Sequence, residues 1–96
     1  MTAYSKLALI VSPFAKCGDN ITAVIDALNV PETVVELSAP DIVVISQPHR
    51  EVVGTGTFRK TVNWTVEHVQ KGTSCMVEIT ASADGFVQTG LCKIIC

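Results

Sequence analysis

The residues able to do chemistry in this 96-residue chain are few and scattered. Cysteines stand at Cys17, Cys75, Cys92 and Cys96, and histidines at His49 and His68. A cysteine serves as nucleophile, disulfide partner or metal ligand, and a histidine as base or ligand. No C-x-x-C occurs, so zinc-ribbon, dithiol-redox and haem-attachment signatures are missing. Cys92 and Cys96 on one strand would sit about 13 Å apart. Two ligands of one zinc must lie far closer, because a Zn–S bond is about 2.3 Å. In extended chain these two neither chelate one ion nor bond each other. Their partners are then Cys75, Cys17 or, for the terminal Cys96, a second molecule. Reduced, buried thiols are the alternative, since free cysteine packs as a small hydrophobe.

Other catalytic constellations are equally thin. A serine or cysteine nucleophile needs an oriented base beside it, and no G-x-S-x-G is present. His49 sits between Pro48 and Arg50, in the surroundings of a solvated loop, and His68 falls at the end of a long predicted strand. The stretch from Gly54 through Gly56 to Lys60 and Thr61 has the ends of a phosphate loop. Such a loop requires glycine just before its lysine, and Arg59 stands there. The carboxylates Asp19, Asp26, Glu32, Glu36, Asp41, Glu51, Glu67, Glu78 and Asp84 are dispersed, and the basic residues form no run. With a net charge of −2, charge-driven nucleic-acid binding is disfavoured. The sequence predicts no enzyme, cofactor or metal site.

The elements that would position these groups follow from periodicity. Residues 6–12 read as a first strand. Beyond a polar break at 16–20, Ile21, Val24, Ile25 and Leu28 recur at i, i+3, i+4 and i+7, which predicts one short helix near residues 20–28. Asp19 or Asn20 would cap it, and Asn29 with Pro31 would end it. Residues 33–37 and 42–46 read as short strands, the latter apolar without alternation and therefore buried on both faces or against a neighbouring subunit. Gly54 and Gly56 predict a bend or bulge. Residues 57–69 alternate: Phe58, Val62, Trp64 and Val66 anchor the core, opposite Thr57, Arg59, Thr61, Asn63, Thr65 and Glu67. A turn at 70–73 leads to strand 74–82. Asp84-Gly85 marks a hairpin, and 86–95 is the last strand. Residues 57–95 thus predict a three-stranded antiparallel meander, with Glu67 and Glu78 on adjacent strands. The expected fold is mainly β, a single small antiparallel sandwich or curled sheet.

Composition frames the function. The charged fraction is 17%, against about 25% in ordinary domains. The hydrophobic fraction is 48% and mean hydropathy is +0.42. Disorder is excluded, and no apolar run is long enough for a membrane helix. The apolar stretch 7–11 is interrupted by Ser12 and Pro13, so residues 1–16 read as mature fold rather than a leader. Asn20 and Asn63 each open an Asn-x-Thr triplet, a weak glycosylation signal. Thr, Ser, Asn and Gln replace the missing charge, and such faces suit contact with other sheets. The expected partners are further copies or other protein subunits, without nucleic acid or membrane. The expected function is a non-catalytic structural subunit of a repetitive assembly, such as a viral or phage coat, decoration or tail component. The alternative is a secreted or surface binding module held by disulfides, with Gln47, His49, Arg50, Gly54 and Gly56 in its contact loops. A virion or extracellular setting is favoured over the cytoplasm.

Overall fold

The computed structural model describes residues 4–67, 72 and 74–96. Six strands occur in it: β1 (Lys6–Val11), β2 (Phe14–Lys16), β3 (Asn20–Ser38), β4 (Arg50–Thr65), β5 (Ser74–Ala83) and β6 (Phe86–Ile95). They form one curled open sheet in the order β1-β3-β5-β6-β2, with β4 paired to the remaining edge of β3. All pairings are antiparallel except β2 on β6, which is parallel. The fold class is therefore mainly β. His68, Val69 and all but Gly72 of the predicted 70–73 turn lie outside the described residues.

The predicted helix at 20–28 is not formed; those residues begin the 19-residue strand β3. The helical stripe was one of two patterns that fit the segment. Ile21, Ala23, Ile25 and Ala27 also alternate, and these four are the ones buried. Leu28, on the helical stripe, is 40% exposed. Pairing to β1 on one side and β4 on the other satisfies the backbone on both edges. A two-turn helix rich in β-branched residues offers no comparable gain. The supposed helix stop is instead a corner within the strand. Asn29 does take a left-handed conformation (φ 53°), but at a place where the β3–β4 register slips.

That slip is repeated. Between the pairs Ala27–Phe58 and Val30–Gly56, and again to Thr33–Gly54, three residues of β3 advance against two of β4. The next step, to Val34–Val52, places the extra residue on β4. Extra residues in one strand bend it and increase its twist. Gly56 contributes a left-handed φ of 85°. At Gly54 the Phe58 ring fills the side-chain space, since a Cβ there would lie 2.9 Å from Phe58 Cδ1. Thr33, buried in the corner, donates its hydroxyl to the Pro31 carbonyl at 3.0 Å. No polar side chain is therefore stranded there.

The bend is large. The backbone N–H of Leu37 still donates to His49 O at 2.7 Å, so the β3–β4 ladder runs to the loop. Pro48, next in that loop, accepts the Trp64 indole N–H at 3.0 Å. A straight β4 would carry Trp64 about 46 Å from Arg50. The ribbon must therefore fold back, bringing both of its ends together. Beyond the corner β3 changes partner from β1 to β5 while keeping β4. The inner faces of the two halves share one core containing Ile21, Ile25, Val35, Trp64, Val77, Ile79 and Ile94. Closure across the curl is tight at Gly90 of β6, where an added Cβ would lie 2.5 Å from Val11 Cγ2 of β1.

Two further expectations are corrected. The predicted meander does not exist, because β3 lies between β4 and β5; only the β5–β6 hairpin remains, closed at Asp84-Gly85. Glu67 and Glu78 are consequently not on neighbouring strands. Residues 42–46 are loop rather than strand, with Val43 and Ile45 buried and Ile42 and Val44 each 45% exposed. Sequence periodicity identifies which face of a segment is wet, but it carries no information on which segments pair.

Trp64→Phe keeps most of the buried ring and removes the donor to Pro48. It is expected to cost about 1–3 kcal/mol, read as a lower denaturation midpoint in urea followed by circular dichroism. An unchanged midpoint would show that the ribbon folds back without this bond.

Candidate contact surfaces and cysteine pairs

Three places stand out, and two of them hold residues singled out from the sequence. Cys17 follows β2 and Cys96 follows β6, and the parallel pairing of those strands brings them together as a disulfide with Cα atoms 5.4 Å apart. The bond joins positions 79 residues apart. Cross-linking so long a loop removes much unfolded-state entropy. Cys75 and Cys92 are free thiols. Cys75 pairs with Ile94 and Val77 with Cys92, so the two thiols are diagonal neighbours across β5 and β6. Cys92 is fully buried and Cys75 half-buried, and burial raises both thiols above the usual 9.0. A protonated, enclosed thiol is a poor nucleophile. Among the described residues, no group of three or more Cys, His, Asp or Glu is placed to hold a metal ion.

The second place is the 39–49 loop, which straps the end of β4. Gln47 grips Thr65 at both ends of its amide: Nε2 donates to Thr65 Oγ1 at 2.9 Å, and Oε1 accepts the Thr65 N–H at 3.0 Å. The Glu67 N–H donates to Val44 O at 2.9 Å, and the Ser46 hydroxyl bonds to the Glu67 carboxylate. His49 Nε2 lies 3.1 Å from Ile45 O. Arg50 faces Glu36 at 3.8 Å with both side chains mostly exposed, a pair worth little in water. Gly54 and Gly56 are in the ribbon corner, not in a loop. Of the residues expected in contact loops, Gln47 and His49 make internal contacts, whereas Arg50 stays mostly exposed; Val62, Trp64 and Val66 lie buried in the core and Phe58 packs against it.

The two Asn-x-Thr triplets face one another. Asn20 pairs with Thr65 and Thr22 with Asn63, leaving Ile21 opposite Trp64 on the core side. Thr22 Oγ1 donates to Asn63 Oδ1 at 2.7 Å, and Thr65 Oγ1 donates to Asn20 Oδ1 at 2.9 Å. These neutral cross-strand bonds take the place that charge pairs occupy on more ordinary sheets.

The third place was not marked by the sequence reading. Phe14 and Met76 both pair with Lys93, and Leu91 and Ile95 flank that lysine on the same side of β6. All four apolar side chains are exposed, Phe14 by 64% and Leu91 by 53%. They lie on the outer face of the β5-β6-β2 layer. Leu91 and Ile95 fall within the predicted last strand 86–95, but the contribution of Phe14 has no local signal. It depends on the parallel β2–β6 contact between distant parts of the chain.

No family model matches this chain, and no curated protein matches its sequence.

Two measurements check the cysteine assignments. Without reductant, native protein is expected to be alkylated at Cys75 well before Cys92, with Cys17 and Cys96 labelled only after reduction. Replacing Cys17 and Cys96 together by Ser should cost about 2–5 kcal/mol. The raised thiols also set a pH dependence. Their folded values exceed the unfolded ones, so stability is full below about pH 9 and declines as pH rises through the higher folded values. Cys92→Val should flatten the alkaline limb of a melting-temperature profile; an unchanged limb would remove Cys92 from that role.

Proposed function

We propose that this protein is a non-catalytic structural subunit that assembles with further copies of itself. The supporting observation is the amount of apolar side chain left in water. Tyr4, Ile10, Phe14, Leu28, Ile42, Val44, Val52, Met76, Val87, Leu91 and Ile95 are each at least 40% exposed. Scattered apolar residues are ordinary on any surface. Here Phe14, Met76, Leu91 and Ile95 are contiguous by register and interrupted by one lysine. Contiguous patches mark sites of protein contact. The low charge points the same way, since charged side chains are what keep exposed strands from meeting. A coat, decoration or tail component of a viral or phage particle is the setting that suits such a subunit.

A second reading, a secreted or surface binding module, is favoured by the Cys17–Cys96 disulfide. Structural disulfides persist in oxidising surroundings. The two readings differ in what the protein does alone in solution.

Size-exclusion chromatography with light scattering separates them. The assembly reading expects species above the 10.2 kDa monomer that grow with concentration and shrink in Leu91→Lys. A monomer across the micromolar range would remove the assembly reading and leave the binding module.

A further inference from the structure

We infer that the unpaired side of β1 is a self-pairing edge, joining two copies of this chain by antiparallel β1–β1 addition. The inference rests on the assembly reading and names one of the interfaces it needs. A repetitive assembly requires at least two distinct contacts, and an isologous two-fold contact supplies only one of them.

The free edges of the sheet differ in how they are guarded. Each leaves backbone N–H and C=O groups without a strand partner, and natural sheets guard such edges with bulges, charge or shortness. The β4 edge is guarded in two ways. Its path is broken by the slips at Gly54 and Gly56, and Arg59 and Lys60 stand in the middle of the strand. Lys60 occupies the same alternation as Phe58, Val62 and Trp64, the inward register, yet is exposed. A lysine there opposes the approach of another strand. The far end of β4 is strapped by Gln47 and Val44. At the opposite end of the sheet, β2 is three residues long, ends in Lys16 and is followed at once by the disulfide.

The β1 edge is less guarded: its one charge, Lys6, stands at the start of the strand, and at its far end Val11 packs against Gly90 of β6. Leu7–Val11 is an uncharged run, its register with β3 is unbroken over all six pairs, and no strand among the described residues pairs with its other side. Ile10 points outward and is 67% exposed.

The sequence of β1 also complements itself. An antiparallel pair about a two-fold axis at Leu9 sets Leu9 against Leu9, Leu7 against Val11, Ala8 against Ile10 and Lys6 against Ser12. Each side chain then meets one on its own face of the sheet, because paired positions share parity. On the inner face Leu7, Leu9 and Val11 would continue the apolar row of the core. On the outer face the large Ile10 would lie over the small Ala8. No like charges are opposed, and Lys6 meets a hydroxyl. The occupant that fits is a second copy, joining two curled sheets into one.

Hydrogen–deuterium exchange at several protein concentrations, run beside light scattering, tests this. Amides across residues 6–12 should gain protection as wild-type protein associates. Ile10→Lys would place its ammonium diagonal to Lys6 of the second copy and to its own symmetry mate. It should abolish that gain and reduce the assembled size, while Asp84→Lys, at an exposed position in the β5–β6 turn, should change neither. Association that proceeds without added protection at 6–12 overturns the β1 edge and leaves the assembly reading standing. Protection independent of concentration overturns it too, assigning the edge to a segment of the same chain. A wild-type monomer at every concentration removes the assembly reading itself. Circular dichroism of Ile10→Lys confirms that a lost contact is not a lost fold; should it unfold, the wild-type exchange series still decides.

Discussion

The structure depends on one paired ribbon being forced to bend. β3 and β4 stay hydrogen-bonded to each other from Asn20–Thr65 to Glu36–Arg50, so neither can be rearranged alone. Two extra residues on β3 and one on β4 are absorbed between Ala27 and Val34. A strand pair with unequal residue counts has to curve. Every other element takes its place from that curve. β1 covers β3 on one side of the corner, β5 covers it on the other, and Val11 reaches Gly90 across the gap. A straight ribbon would have had one wet face and one bare apolar face, with no second layer to cover it.

Closure is then held at both ends of the ribbon by contacts of different kinds. At the loop end, Trp64 joins a large buried ring to a hydrogen bond on Pro48, and Gln47 ties Thr65 twice. At the other, the Cys17–Cys96 bond fastens the turn that leads into β3 to the residue that follows β6. The apolar term is non-directional and only compacts the chain. The hydrogen bonds and the disulfide select this compact form over others with similar burial. In a domain this small, where net stability is a few kcal/mol out of much larger opposing terms, such local fastenings carry weight.

The surface repeats the theme of neutral contact. Near its Asn20–Thr65 end the face of the β3–β4 ribbon is bonded through Asn and Thr, and the Glu36–Arg50 end carries one exposed ion pair. The outer face of β5-β6-β2 is apolar around Lys93. β4 and β2 carry more of the features that discourage edge pairing than β1, whose one charge is Lys6 at its start.

The sequence by itself determined that the fold is mainly β, the wet and dry faces of the segment around Trp64, the Asp84-Gly85 hairpin and the irregularity at Gly54 and Gly56. Alternation and turn chemistry are local properties, written in neighbouring residues. It also implied that Cys92 and Cys96 do not bond each other, because strand rise alone separates them. What only the tertiary structure decided was which strands meet. The segment 20–28 carried both a helical and an alternating pattern, and two flanking strands resolved the choice by satisfying its backbone. The 57–69 segment looked like the first strand of a meander, yet β3 took the place beside β5. The Cys17–Cys96 bond, the Phe14 contribution to the exposed patch and the occupation of Gln47 all follow from pairings between distant residues. A strand's side-chain pattern says which way it faces, but its backbone hydrogen bonds are the same for every neighbour. Partner choice is therefore settled by the packing of the whole sheet.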